Sequence, residues 1–208
     1  MANIFLNIRS EDSYQSYFED GEEIASGGFG VVYPVINRET GKIVAAIKRT
    51  NLEGRGERLK EYSRKEVRHF SIKFEFKFKF NLKIRMMENC CHRNVARLFA
   101  SYTDDSGWKF VTIMEMCQGD LQMCITKRNK VPFPVETILQ WCSQIACGLK
   151  YLHSKGIIHR DLKPAVKYAK LYKKKTKVDF SKFFLKNILM LDDILKITDF
   201  NVSKILTG

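Results

Sequence analysis

The chain reads as an α+β protein: an antiparallel, strand-rich first half with one helix, then the start of a mainly helical portion. Three observations predict this. Short runs of strand-forming residues separated by turn residues recur through 17–116. Between 135 and 155, Ile138, Leu139, Trp141, Ile145, Leu149 and Leu152 recur at spacings of three and four, one face of a helix. Pro132 and Pro134 stand immediately before that helix.

In order along the chain, strands are expected over 17–25, 31–38, 42–49, 95–103 and 108–116. Glu39-Thr40-Gly41-Lys42 supplies the turn between the second and third, with Gly41 a natural turn residue. Asp104, Asp105 and Gly107 supply the turn before the fifth. One helix is expected over 56–68, a short one over 120–128, and the long one over 135–155. Two segments break the pattern. In 69–84 the even positions Phe70, Ile72, Phe74, Phe76, Phe78, Phe80, Leu82 and Ile84 are all apolar, a strand-like alternation set where the flanking sequence continues a helix. Residues 166–186 hold eight lysines and one aspartate.

These two segments also explain the charge. The net charge is +13, and +10 of it lies in them, so the rest of the chain is near neutral. A phosphate-backbone interface would have to be built from those segments alone, and specific nucleic-acid binding is not expected. No stretch reaches the eighteen apolar residues of a membrane helix, so no membrane insertion is expected. The opening MANIFLNIRS lacks the basic and apolar regions of a signal peptide. Cys90, Cys91, Cys117, Cys124, Cys142 and Cys147 show no paired CxxC spacing and read as buried thiols of a reducing compartment. The expected location is the cytoplasm, with nuclear access open.

The chemistry-bearing run is His159-Arg160-Asp161-Leu162-Lys163-Pro164, followed by Asp199-Phe200. Upstream stand Ile24-Ala25-Ser26-Gly27-Gly28-Phe29-Gly30-Val31-Val32 and Ala45-Ala46-Ile47-Lys48. Glycines let a backbone approach phosphate closely. Lys48 follows Gly30 by 18 residues and precedes Glu66 by 18. Taken together, these motifs resemble the eukaryotic protein kinases, and Asp-Leu-Lys-Pro resembles their serine/threonine type.

The resemblance implies a protein-kinase-like α+β fold. Its antiparallel five-stranded N-lobe with a C helix would span 1–116, interrupted by 69–84. Only the first part of a mainly helical C-lobe would follow over 117–208, interrupted by 166–186. It implies ATP and Mg2+ as cofactors, protein substrates as partners, and transfer of the γ-phosphoryl group to Ser or Thr hydroxyls. Ala25, Gly27, Gly30 and Val32 would form the phosphate-covering loop and the base contact. Lys48 would contact the α- and β-phosphates and pair with Glu66; Glu61 is the rival, but it lies too close to Lys48 in sequence. Met114 would stand behind the adenine, with the Glu115 carbonyl and the Cys117 amide at its edge. Asp120 would reach the ribose, or cap the following helix, or both. Asp161 would orient the substrate hydroxyl, Lys163 would face the γ-phosphate, and Asn187 and Asp199 would hold magnesium.

Three departures accompany the match. Ala25 replaces the first loop glycine, and Asn201 replaces the glycine of Asp-Phe-Gly. The family expects asparagine five residues after Asp161, where this chain has Val166; the matching Asn187-Ile188-Leu189-Met190 follows the lysine-rich segment. Without 69–84 and 166–186 the family pattern runs on uninterrupted. Both segments are rich in residues with A/T-rich codons and read as translated introns, and genuine insertion is the alternative. The chain reaches Gly208 before any activation segment, so it is expected to be a truncated kinase of doubtful activity. A catalytically inactive kinase-like nucleotide-binding or scaffold protein is the second reading.

Overall fold

The computed structural model describes residues 2–27, 30–51, 87–103, 109–129, 131–159, 162, 187–199 and 204–205. Outside the described residues lie both segments 69–84 and 166–186, the helix expected over 56–68, and the site candidates Glu61, Glu66, Asp161 and Lys163. Arg160, Phe200 and Asn201 also lie outside them. The chain divides into two compact units, Met1–Cys90 with Arg97–Met116, and Cys91–Ala96 with Cys117–Gly208.

The first unit opens with two short helices, α1 (Ala2–Phe5) and α2 (Glu11–Gln15). A capping box starts α2: the Ser10 hydroxyl accepts from the Ser13 amide at 3.2 Å, and the Ser13 hydroxyl accepts from the Ser10 amide at 3.0 Å. Strands β1 (Phe18–Asp20), β2 (Ala25–Gly27), β3 (Gly30–Asn37), β4 (Ile43–Asn51), β5 (Leu98–Thr103) and β6 (Lys109–Met114) follow. They form an antiparallel sheet in the order β1-β3-β4-β6-β5, with β2 also on β3. This is the expected antiparallel lobe, with its first expected strand divided. The single strand expected over 17–25 is two, because residues 21–24 stand opposite only Tyr33 and Pro34 of β3. Gly21 sits at this bulge, its amide donating to the Pro34 carbonyl at 2.9 Å. A Cβ there would lie 2.7 Å from Pro34 Cγ. Gly41, at φ +65°, closes the β3–β4 hairpin as expected.

One face of this sheet is covered from the N-terminus. Phe5, Ile8, Tyr14 and Phe18 cluster with Val35, Ala45, Ile47, Ala100, Tyr102, Val111 and Ile113, all buried. Phe5 stacks on both Phe18 and Phe99 with ring centroids 5.0 Å apart. Each such side chain contributes roughly 1.5–3 kcal/mol by leaving water, so the N-terminal segment is part of the core.

The second unit contains β7 (Gly119–Asp120), α3 (Leu121–Lys127), α4 (Val135–Ser154), β8 (Ile157–Ile158), β9 (Ile188–Leu191), β10 (Ile194–Ile197) and β11 (Lys204–Ile205). The two expected helices are present within a residue or two of their expected ends. Gly156, at φ +72°, stops α4 by taking the left-handed conformation that glycine adopts without penalty. β9 and β10 form a hairpin, β7 joins β9, and β11 pairs with β8. Residues 95–96, expected at the start of a strand of the first sheet, instead pair here. Val95 bridges Ile197 in parallel, and the Ala96 amide donates to the Ile197 carbonyl at 2.9 Å.

Helix α4 meets β10 and residues 91–96 through a narrower stripe than its apolar pattern suggested. Leu152 and Gly148 are buried, whereas Leu139 is 63% exposed. The contact uses a polar side chain instead. Gln144 Oε1 accepts from the Leu195 amide at 2.7 Å and from Asn94 Nδ2 at 3.0 Å, while its Nε2 donates to the Asp193 carbonyl at 3.0 Å. The cysteines expected to be buried are not all so: Cys90 is, but Cys91 and, on the outer faces of this helix, Cys142 and Cys147 are exposed.

Candidate active site

In the first unit, sheet register gathers the candidate nucleotide residues. Directly opposed residues of neighbouring strands share a face. Val32 opposes Lys48, and Lys48 opposes Thr112, across β3, β4 and β6. One step along, Pro34 opposes Ala46, and Ala46 opposes Met114. Val32, Lys48 and Met114 therefore lie on one face, opposite the face that α1 and α2 cover. Ala25 opposes Val32 across β2 and β3, bringing a fourth candidate into the same row.

Gly27 and Gly30 pair with each other at the β2–β3 turn. Gly30 has φ +129°, and a Cβ there would collide with the Arg49 carbonyl oxygen and lie 3.0 Å from Thr50 Oγ1. Only glycine fits. The resemblance gives this residue a place in the phosphate-covering loop; in the sheet it seats the turn against β4. Glu115 follows β6. Its amide donates to the Arg97 carbonyl at 2.9 Å, and its carboxylate accepts from the Arg97 amide at 2.7 Å.

In the second unit, the Asp120 carboxylate accepts from the Met123 amide at 2.6 Å, so the capping role is present. The other carboxylate lone pairs leave a ribose contact chemically open. Asp120 also opposes Leu189 in the β7–β9 pair, and Cys117 precedes β7. Gln118, which sequence reasoning did not single out, clamps this region. Its amide donates to the Met190 carbonyl at 2.9 Å, and its side chain exchanges two hydrogen bonds with Asp192, at 2.8 and 2.7 Å.

The candidate magnesium ligands flank the β9–β10 hairpin. Asn187 precedes β9 and Asp199 follows β10, and the Thr198 amide donates to the Asn187 carbonyl at 2.9 Å. His159, 2% exposed, places Nε2 2.7 Å from the Thr198 carbonyl. A carbonyl only accepts, so Nε2 carries the proton. Asp199 itself sits at φ +62°, a left-handed conformation uncommon outside glycine, which aspartate and asparagine adopt more readily than other residues. An amide oxygen and a carboxylate are the oxygen donors that a hard divalent cation takes, so this pair fits magnesium by chemistry. Among the described residues, no cluster of three His, Cys, Asp or Glu side chains forms a metal site on its own.

The sequence profile of the protein kinase domain matches residues 18–208. The chain belongs to the protein kinase family. Its relatives include proteins named serine/threonine-protein kinases. The rat interferon-induced, double-stranded RNA-activated protein kinase is 33% identical over 158 residues, covering 74% of this kinase and 29% of the rat protein. Human serine/threonine-protein kinase Nek11 is 27% identical over 190 residues, 90% of this kinase and 24% of the human protein. An Aurora kinase of Yarrowia lipolytica is 29% identical over 188 residues, 89% of this kinase and 39% of that protein. This kinase therefore spans well under half the length of each.

Sequence reasoning missed one further cluster in this kinase. Arg49, next to Lys48, donates from Nε to Asp20 Oδ2 at 2.7 Å and from Nη1 to Glu11 Oε2 at 2.7 Å. Its Nη2 reaches Glu11 Oε1 at 2.9 Å and Asp20 Oδ1 at 3.3 Å. The Tyr14 hydroxyl donates to Asp20 at 2.7 Å and the Tyr102 hydroxyl to Glu11 at 3.0 Å. The hydrogen bond from Arg49 holds the Glu11 carboxyl below its ordinary range. Burial, then the bonded carboxylates, push both tyrosines well above theirs. Burial alone would lower the Arg49 pKa, but its bonds to Glu11 and Asp20 outweigh that and keep it charged. Residues this far apart in sequence leave no local signal.

Proposed function

We propose that this kinase transfers the γ-phosphoryl group of ATP to serine or threonine hydroxyls of protein substrates. The observation that carries the reading is the row of Val32, Lys48 and Thr112 on one sheet face, with Met114 one step along and Gly30 at its turn. In such a transfer the protein acts by positioning and by neutralising charge, with no covalent enzyme intermediate.

Lys48 would neutralise the α- and β-phosphates and be oriented by Glu66. Val32 and Met114 would contact the base, and the Glu115 carbonyl and Cys117 amide would bond its edge. Asp120 would bond the ribose. Asp161 would accept or orient the proton of the substrate hydroxyl, and Lys163 would face the γ-phosphate. Asn187 and Asp199 would hold magnesium, which, when bound, supplies positive charge to the phosphate oxygens. The proposed location is cytoplasmic, with access to the nucleus, and the proposed partners are ATP and protein substrates. A second reading, a kinase-like protein that binds nucleotide without transfer, draws on Ala25 and Asn201.

The test is incubation of the purified protein, with and without residues 166–186, with labelled ATP, magnesium and a generic Ser/Thr substrate. Magnesium-dependent transfer that is lost in Asp161→Asn and Lys48→Met is expected. Binding without transfer by either form would select the second reading. Binding indifferent to magnesium and to Lys48 would reject both.

A further inference from the structure

The cluster around Arg49 lies outside the residues proposed for phosphoryl transfer, yet it adjoins two of them, Lys48 and Gly30. Side chains alternate along a strand, so Lys48 and Arg49 point to opposite faces of β4. Arg49 lies on the face that carries Ala45 and Ile47, beneath the N-terminal segment. Its main chain faces the phosphate turn: the Arg49 carbonyl oxygen fills the place of a Gly30 Cβ, and Arg49 opposes Val31. A single residue thus touches the N-terminal segment with its side chain and the glycine turn with its backbone.

The chemistry of the grip is specific. A guanidinium presents donors in a rigid plane, and here that plane meets two carboxylates from different elements, Glu11 of α2 and Asp20 of β1. Two negative charges on one positive charge would repel each other, and the Tyr14 and Tyr102 hydroxyls offset this by donating one bond to each carboxylate. The guanidinium also lies 5.6 Å over the Tyr14 ring, a cation–π distance. The Arg49 side chain is 29% exposed, so the pairs are partly shielded from water, where charge-assisted bonds gain strength.

We propose that residues 2–20 act as a strap that holds β4 through Arg49, making Arg49 a positioning residue for Lys48 and for the Gly27–Gly30 turn. The assignment of Lys48 and Gly30 to ATP rests on the reading above, but the mechanical coupling does not. If the strap acts through the fork, loosening it frees the end of the β3–β4 hairpin that carries Gly30 and Lys48. The far end, around Val35 and Ala45, stays in place.

The experiment is amide hydrogen exchange on the full chain, comparing residues 30–32 and 48–50 with residues 35–37 and 43–45. Glu11→Gln and Arg49→Lys are each expected to lower protection at the first set about tenfold, the effect of losing one charge-assisted bond, and to leave the second set unchanged. Glu19→Gln, which removes only the exposed 3.5 Å pair with Arg38, is expected to change neither set. Full protection in Arg49→Lys would overturn the role of the fork. Equal loss at both sets would overturn the local coupling and leave a strap that merely adds stability. ATP titrations on the same variants separate the two ideas. Weaker binding in Arg49→Lys with Lys48 intact supports the positioning role. Unaltered binding beside lowered protection would overturn positioning of the site, and failure of the parent chain to bind ATP would overturn the kinase reading alone.

Discussion

Thr198 donates its amide to the Asn187 carbonyl at 2.9 Å and offers its own carbonyl to His159 at 2.7 Å. One residue therefore ties the two candidate metal ligands, Asn187 and the adjacent Asp199, to the buried imidazole that opens the catalytic-loop string. Replacing His159 by leucine keeps the bulk and removes this bond. The bond is part-buried, so its removal is expected to cost about 1 kcal/mol. Urea melts measure that loss, and magnesium titrations should show weaker cation dependence of nucleotide binding. An unchanged midpoint would contradict this account.

Gly30→Ala and Gly41→Ala should separate two uses of glycine. Both positions have positive φ, but a Cβ at Gly41 meets nothing within 4 Å, while one at Gly30 collides with the Arg49 backbone. Gly41→Ala is expected to cost about 1 kcal/mol, from conformation alone, with ATP affinity intact. Gly30→Ala is expected to cost more and to weaken ATP binding. Equal melting temperatures and equal affinities for the two variants would argue against a seated turn.

Gly148→Ala is expected to destabilise the protein even though alanine favours a helix over glycine by about 1 kcal/mol. A Cβ at 148 would lie 2.6 Å from the Asn94 carbonyl oxygen and 2.8 Å from Ile197 Cδ1. The clash sets residues 91–96 and β10 away from α4 and breaks the Gln144 bonds. Thermal melts decide the sign; a raised midpoint would show that the helix absorbs the methyl group.

Acid should loosen the N-terminal strap. Glu11 is lowered from its ordinary 4.5 by the Arg49 hydrogen bond, so its contribution is complete above that value. Stability from this group is lost as pH falls below 4.5 and through the lower folded-state value. In Glu11→Gln that part of the acid limb should be absent. Denaturant midpoints measured from pH 6 to pH 3 compare the two, and parallel curves would remove Glu11 from the account.

Excising 166–186 should favour the catalytic loop. As it stands, Asp161 and Asn187 are 26 residues apart; after excision they are five apart. Loop closure costs about 0.6 kcal/mol per doubling of length, so the change is worth about 1.5 kcal/mol. Tighter magnesium-dependent ATP binding is expected in the shortened chain. No change on calorimetry would show that the longer segment already brings the two residues together.

Strand periods, turn glycines and the spacing of three and four in α4 were legible because each is a local rule, satisfied by residues a few positions apart. The motif residues were legible for another reason: Gly30, Lys48 and Asp199 stand in strings that match the protein kinase family, and Asn187 does so once 166–186 is set aside. What the linear order could not carry were contacts between distant residues. Glu11, Asp20, Arg49 and Tyr102 look like ordinary surface and strand residues until β4 and β5 bring them under α2. Residues 95–96 read as strand because Val95 and Ala96 continue an apolar run, yet the Ala96 amide donates to Ile197, about a hundred positions on, and the Val95 amide to nearby His92. Leu139 matched the helix period and is exposed, while Gln144 broke it and is the residue that α4 uses to hold β10. Periodicity reports which side of an element can be buried. Which part of that side meets a partner, and whether a polar group there finds its hydrogen bonds, depends on the packed neighbours.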